Sequence, residues 1–200
     1  MSQTLPTSPA LPPTTRARLA AVDHAVTHDE WIADWATREE KYELVDGIPL
    51  VSPQEQPRNY SATSRLMIRL VAALGDEWEY HQGSAIEIAR GARLTYRAPD
   101  LTLLRPAANL INNPLDPCDV MLVAETLSPS TRQDDLGRKR RDYASVGISN
   151  YLIIDRERTP RLTLLTDPAD GDYRTECSGE TVTLHIAGHD IVIDAADIIR

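Results

Sequence analysis

Phenylalanine is absent from this chain of 200 residues, and aromatic residues make up only 5% of it. A core must therefore come mainly from Leu, Ile, Val and Ala. Cysteine is scarce too. Cys118 and Cys177 are the only two, far apart and without a CxxC pair. That argues against a zinc site and a disulfide scaffold, and makes a reducing cytoplasm the default compartment. No apolar run approaches the length of a membrane span, so no membrane partner is expected. The N-terminus lacks a basic region followed by an apolar core, so no signal peptide is expected. There is no Gly-rich phosphate loop and no Ser nucleophile elbow. His24, His28, His81, His185 and His189 show no metal-ligand spacing.

Positive charge also falls short. Lys and Arg number 21 against 30 Asp and Glu, a formal net charge of −9. A protein that lives on nonspecific phosphate contacts is usually basic, so a static, high-affinity nucleic-acid binder is disfavoured. An enzyme that touches DNA briefly through a local basic patch, with part of its acidic charge neutralised by metal, remains compatible. The length suits one domain plus a tail. Residues 1–15 are rich in Pro, Ser and Thr with no apolar period. A disordered tail is expected over 1–20 and a single domain over 21–200.

What is present reads as alternating strands and helices. Thr27-His28-Asp29-Glu30 fits a capping box, and Trp31, Ile32 and Trp35 follow at helical spacing, which predicts a helix over 28–38. Residues 42–51 form a hairpin pattern turning at Asp46-Gly47, with Pro49 assigning the second strand to an edge. Leu66, Leu70, Ala73 and Leu74 stripe a helix over 57–80. Short strands are expected at 85–89, 94–96 and 100–104. A buried strand follows over 119–127, then a helix over 131–146 and a buried strand over 151–155. Residues 161–199 alternate like antiparallel strands. The order implies an α/β (α+β) fold, a mixed sheet flanked by helices with extra antiparallel C-terminal strands.

Glu125 near the end of an apolar strand poses the sharpest question, because a buried carboxylate needs a cation. On the helix that follows, Lys139 falls inside the apolar arc of Leu136, Tyr143 and Val146. One answer is therefore Lys139. The other is a metal shared with Asp100, which follows Pro99 at the start of strand 100–104 and would lie beside Glu125 if the two strands pair. Hard oxygen ligands suit Mg²⁺ or Mn²⁺. A lysine beside such an ion could position water and stabilise charge on a phosphate.

At these residues the chain resembles the Uma-type putative restriction endonucleases, a branch of the PD-(D/E)XK nuclease superfamily with a restriction-endonuclease-like fold. The likeness runs from about Thr27 to Asp155. Residues 42–47 resemble its opening hairpin, Pro99-Asp100-Leu101 its PD half-motif, and 123–131 its Glu-bearing strand and Ser-Pro-Ser turn. Residues 135–155 resemble its helix–strand unit. In the superfamily the Lys stands two residues after the Glu, where this chain has Leu127, so the resemblance implies that Lys139 takes its place from the helix. It further implies that Asp100 and Glu125 bind Mg²⁺, that Lys139 orients the attacking water and that Glu43 is an additional acidic member. Nucleic acid, DNA in particular, is the implied partner. A homodimer is left open, since many nucleases of this fold act as dimers. Two departures stand out: Arg58-Asn59-Tyr60 where relatives often carry a His, and Ile48 where they usually keep an acidic residue.

Each residue also has a plain structural reading. Asp100 could be a strand-end turn residue, Glu125 half of a structural ion pair, Lys139 a snorkelling lysine and Glu43 the polar face of a hairpin. Arg138, Arg140 and Arg141 read as a solvated face offset by Asp134, Asp135 and Asp142. The principal expectation is an Mg²⁺-dependent endonuclease. Its rivals are an inactive nuclease-fold interaction module and a hydrolase of other phosphoesters.

Overall fold

A computed structural model describes residues 18–19, 22, 24–38, 40–51, 57–91, 93–111 and 113–200. In chain order the elements are β1 (Arg18–Leu19), α1 (His28–Ala33), β2 (Tyr42–Val45), β3 (Ile48–Val51), α2 (Pro57–Leu74), β4 (Glu79–His81), β5 (Ile86–Ala89), β6 (Thr95–Arg97), β7 (Leu101–Leu104) and β8 (Val120–Thr126). There follow α3 (Arg132–Asp134), a π-helical turn (Asp135–Lys139), α4 (Arg140–Ser145), β9 (Asn150–Ile154), β10 (Leu162–Ala169), β11 (Asp172–Gly179), β12 (Thr181–Ile186), β13 (His189–Asp194) and α5 (Ala195–Ile198). The tail expected over 1–20 lies outside the described residues except for Arg18–Leu19, which pair with β3.

The main sheet has six strands in the order β11-β10-β9-β8-β7-β4. It is mixed: β8 and β9 run parallel, joined through the 132–145 helical unit, and the other pairs are antiparallel. Strand periodicity of two splits β8 between two cores. Leu122 and Ala124 face Leu66, Leu70 and Leu74 of α2, together with the β12–β13 ribbon. Val123 faces the opposite way, toward Tyr143 and Tyr151. Glu125 follows Val123's parity, so it points at the helical unit rather than at α2. A second sheet, β1-β3-β2-β6-β5, packs a small aromatic core of Trp31, Trp35, Leu44 and Tyr96.

Local chemistry explains most boundaries. Thr27 and Glu30 form the reciprocal capping box of α1. Asp34 then leaves helical geometry (φ −129°), so the helix expected over 28–38 becomes α1 plus a short 3₁₀ turn, Trp35–Thr37. Asp46 (φ 51°) and Gly47 (φ 80°) make the hairpin turn. A Cβ on Gly47 would come within 2.8 Å of Ala25 Cβ, so the turn also depends on its lack of a side chain. Pro49 does not mark an edge strand, because β1 covers β3. The pairing reaches only Leu50 and Val51, which leaves Pro49 just beyond it. Gly75 (φ 94°) stops α2 six residues short of the expected end. The arginines of the helical unit are not offset within it: Arg138 pairs with Asp46, and Arg140 with Asp172 and Glu176.

Leu122 is fully buried at the centre of the larger core. Leu122→Ala is expected to destabilise the protein by about 2–5 kcal/mol through the cavity it leaves, read as a lower denaturant midpoint at unchanged slope.

Candidate active site

Four elements deliver acidic side chains to one buried pocket. β7 and β8 are antiparallel with Leu101 opposite Ala124, so the next step in register sets Asp100 opposite Glu125 on the same face. The Asp100 carboxylate accepts the Thr126 backbone N–H at 2.8 Å, which fixes it against β8. Its other oxygen accepts from Lys41 Nζ at 2.9 Å. Glu125 Oε1 accepts from Lys139 Nζ and from the Tyr143 hydroxyl, both at 2.8 Å. Lys139 Nζ also lies 3.1 Å from Glu43 Oε1 and 3.2 Å from Asp135 Oδ1. Glu125 and Glu43 therefore meet at Lys139, and Asp100 stands across the strand pair from Glu125.

Three more charged groups complete the pocket, and the sequence did not single them out. Asp135 stands one helical step before Lys139 and is 1% exposed. Asp135 opens the π turn and Lys139 closes it with both side chains on the inner face, while Leu136 is 43% exposed and does not belong to the buried arc the sequence assigned it. Arg97, fully buried on β6, binds Glu43 at 2.8 Å, Asp134 at 2.9 Å and Asp142 at 2.8 Å. It clamps the second sheet to the helical unit. Lys41 precedes β2 in a polar stretch with nothing to distinguish it. The Asp135-to-Lys139 spacing, an i,i+4 acid–base pair, was the one readable signal for Asp135.

Burial and neighbouring charge set the protonation states. For Glu43 burial favours the neutral acid, but Lys139, Arg97 and Lys41 outweigh it and bring its pKa down to about 2. Asp100 is also lowered: burial opposes ionisation, and Lys41, Lys139 and the Thr126 N–H overcome it. Glu125 goes the other way. Burial, with Asp100 and Asp135 nearby, lifts it to about 8 despite Lys139. Asp135 is raised, mainly by burial. Lys139 rises well above the ordinary lysine value because Glu125, Glu43 and Asp135 outweigh its burial. The pocket thus holds more carboxyl groups than its cations neutralise, and burial beside Asp100 and Asp135 favours the neutral acid at Glu125.

That surplus is what a hard dication would offset. Among the described residues no three of His, Cys, Asp and Glu form a ready-made cage. Two carboxylates are nonetheless an adequate protein donor set for Mg²⁺, which usually keeps several waters. Asp100 and Glu125 are two such carboxylates at facing register positions. A cleft of about 1310 Å³ reaches Asp100 and Lys41, lined also by Tyr60, Ser61, His81 and Gln82, among others, while Glu125 is buried behind Asp100.

The raised pKa of Glu125 carries a sign for stability. Its proton favours the folded state fully below the ordinary value of 4.5, and that contribution is lost as pH rises toward about 8. In chelator, Glu125→Gln is expected to flatten stability against pH over that window. Chemical denaturation at several pH values checks this.

The profile of the Uma2 family, described as "Putative restriction endonuclease", matches residues 28–194. No curated protein matches the chain significantly. Among solved structures, a putative nuclease belonging to DUF820 from Anabaena variabilis is similar at 12% identity and a TM-score of 0.62, over 87% of this chain and 97% of that one. That likeness shows a shared fold. The matched span contains the hairpin, the Asp100 and Glu125 strands and the π turn, and the chain belongs to the Uma2 family of putative restriction endonucleases.

Proposed function

We propose that this protein is a divalent-metal-dependent endonuclease that hydrolyses phosphodiester bonds of DNA. One observation carries the reading. Asp100 and Glu125 stand opposite each other across β7 and β8, with Lys139 on Glu125, and Asp100 lines an open cleft. Membership of the family supports nuclease chemistry in general. Asp100 and Glu125 would hold Mg²⁺ or Mn²⁺, with Glu43 as a more remote acidic member. Such an ion supplies Lewis acidity and lowers the pKa of water at the phosphate.

The chain's own residues define the rest. Lys139 is held charged by three carboxylates, so it cannot accept a proton from water. Its part is to donate hydrogen bonds and to stabilise negative charge growing on the phosphate. Lys41 lines the cleft, and its pKa is raised because Asp100 and Glu125 outweigh its burial. It is positioned to meet a phosphate oxygen as substrate enters. Tyr143 donates to Glu125 and holds that carboxyl in one orientation. Arg97 fixes Glu43, which in turn fixes Lys139.

A second reading, a nuclease fold without catalysis, draws on one fact: both Asp100 oxygens already have protein donors. Plasmid cleavage separates the two. Wild-type protein with Mg²⁺ or Mn²⁺ is expected to nick or linearise DNA, and EDTA to stop it. Asp100→Asn keeps the side chain's shape and is expected to lower the rate about 100-fold or more. Wild-type rates in Asp100→Asn and Lys139→Ala, with both folded by circular dichroism, would sink the proposal.

A further inference from the structure

The net charge of −9 leaves open how an acidic protein would hold a polyanion. The answer lies beside the cleft. The loop over 155–161 leaves β9 at Ile154, whose carbonyl accepts the Leu127 N–H at 2.8 Å. It therefore emerges at the same end of the sheet as Glu125. Arg156 Nη1 donates to Asn59 Oδ1 at 3.3 Å, tying the loop to the first turn of α2. Pro57, Tyr60 and Ser61 of that turn line the cleft together with Asp100. Arg58, in the same turn, is exposed, and so is Arg158 in the loop.

These arginines are unusual in their company. Arg97, Arg105, Arg132, Arg138 and Arg140 each hold a carboxylate. Among the described residues no carboxylate forms an ion pair with Arg58, Arg156 or Arg158, and Arg156 Nε is buried without a hydrogen-bond partner. Asp155 is committed to Arg132 at 2.6 Å. Arg65 and Arg161 add to the positive charge. Burial and repulsion from Arg58, Arg65 and Arg161 lower the Arg156 pKa, and Glu157 offsets only part of that. Guanidinium groups without a carboxylate partner are suited to phosphate oxygens, which they can bind through two parallel N–H groups.

We propose that Arg58, Arg156 and Arg158 form a phosphate-binding rim that seats the DNA backbone at the mouth of the cleft, a site that rests on the nuclease reading. The rim supplies the local attraction that the whole molecule lacks. Arg156, anchored to Asn59, sets its position, and the two exposed arginines reach outward from it.

The test is fluorescence anisotropy of a labelled DNA duplex with the full chain, in EDTA to prevent cleavage, across a salt series. The double variant Arg58→Gln/Arg158→Gln is expected to reduce the slope of log affinity against log salt by about 2, one per phosphate contact. The matching Lys variant should keep the slope, since it keeps the charge. Arg174→Gln, on β11 and paired with Asp170, serves as the control and should change nothing. A wild-type slope in the double Gln variant, or no DNA binding by the wild type, overturns the rim. The two ideas fail separately. Cleavage that Asp100→Asn abolishes, beside an unchanged slope, rejects the rim and keeps the nuclease. A changed slope without metal-dependent cleavage does the reverse.

Discussion

The ammonium of Lys139 touches carboxylates from three different elements: Glu43 on β2, Glu125 on β8 and Asp135 one turn earlier in its own helix. This single charge holds the second sheet, the main sheet and the helical unit in one arrangement. Three buried acids around a point would otherwise repel one another, so the pocket exists only because the lysine sits at its centre. The π turn carries it. Asp135 and Lys139, four residues apart, share the inner face of the helical unit, and Leu136 faces away from it.

Charge in the pocket is nearly but not fully compensated. Glu43, Asp100, Glu125 and Asp135 face Lys41, Lys139 and Arg97, and Arg97 is shared with Asp134 and Asp142. A structural network would be expected to close on itself, because leftover buried charge is costly. Here burial, with Asp100 and Asp135 nearby, favours the neutral acid at Glu125, the carboxyl opposite Asp100. Asp100 lines the open cleft beside this excess acid, which favours a cation site over a staple that merely joins sheets.

The sequence disclosed the strand carrying Glu125 because seven consecutive residues of β8 are almost all buried, and an acid stands out among them. Asp100 followed from its proline and from the simplest pairing of neighbouring strands, and the antiparallel register bears that pairing out. Lys139 followed from helical periodicity. Arg97 was hidden because a buried arginine on a three-residue strand has no periodic signature. Its burial is a property of the two sheets meeting the helical unit, which sequence spacing does not encode. Lys41 was hidden for the same reason, since a lysine in a polar stretch reads as solvent-exposed until the fold closes over it. Asp135 was obscured because it read as an offset to the neighbouring arginines on a solvated face, although its i,i+4 spacing sets it beside Lys139.

The most direct measurement is isothermal calorimetry of Mn²⁺ binding to the wild type and to Glu125→Gln. Glutamine matches the neutral, protonated form of Glu125 in shape and charge, so it leaves the Lys139 cluster folded while removing the ability to ionise toward a metal. The account predicts one site in the wild type that the variant loses. Equal binding by both proteins, or none by the wild type, would contradict it.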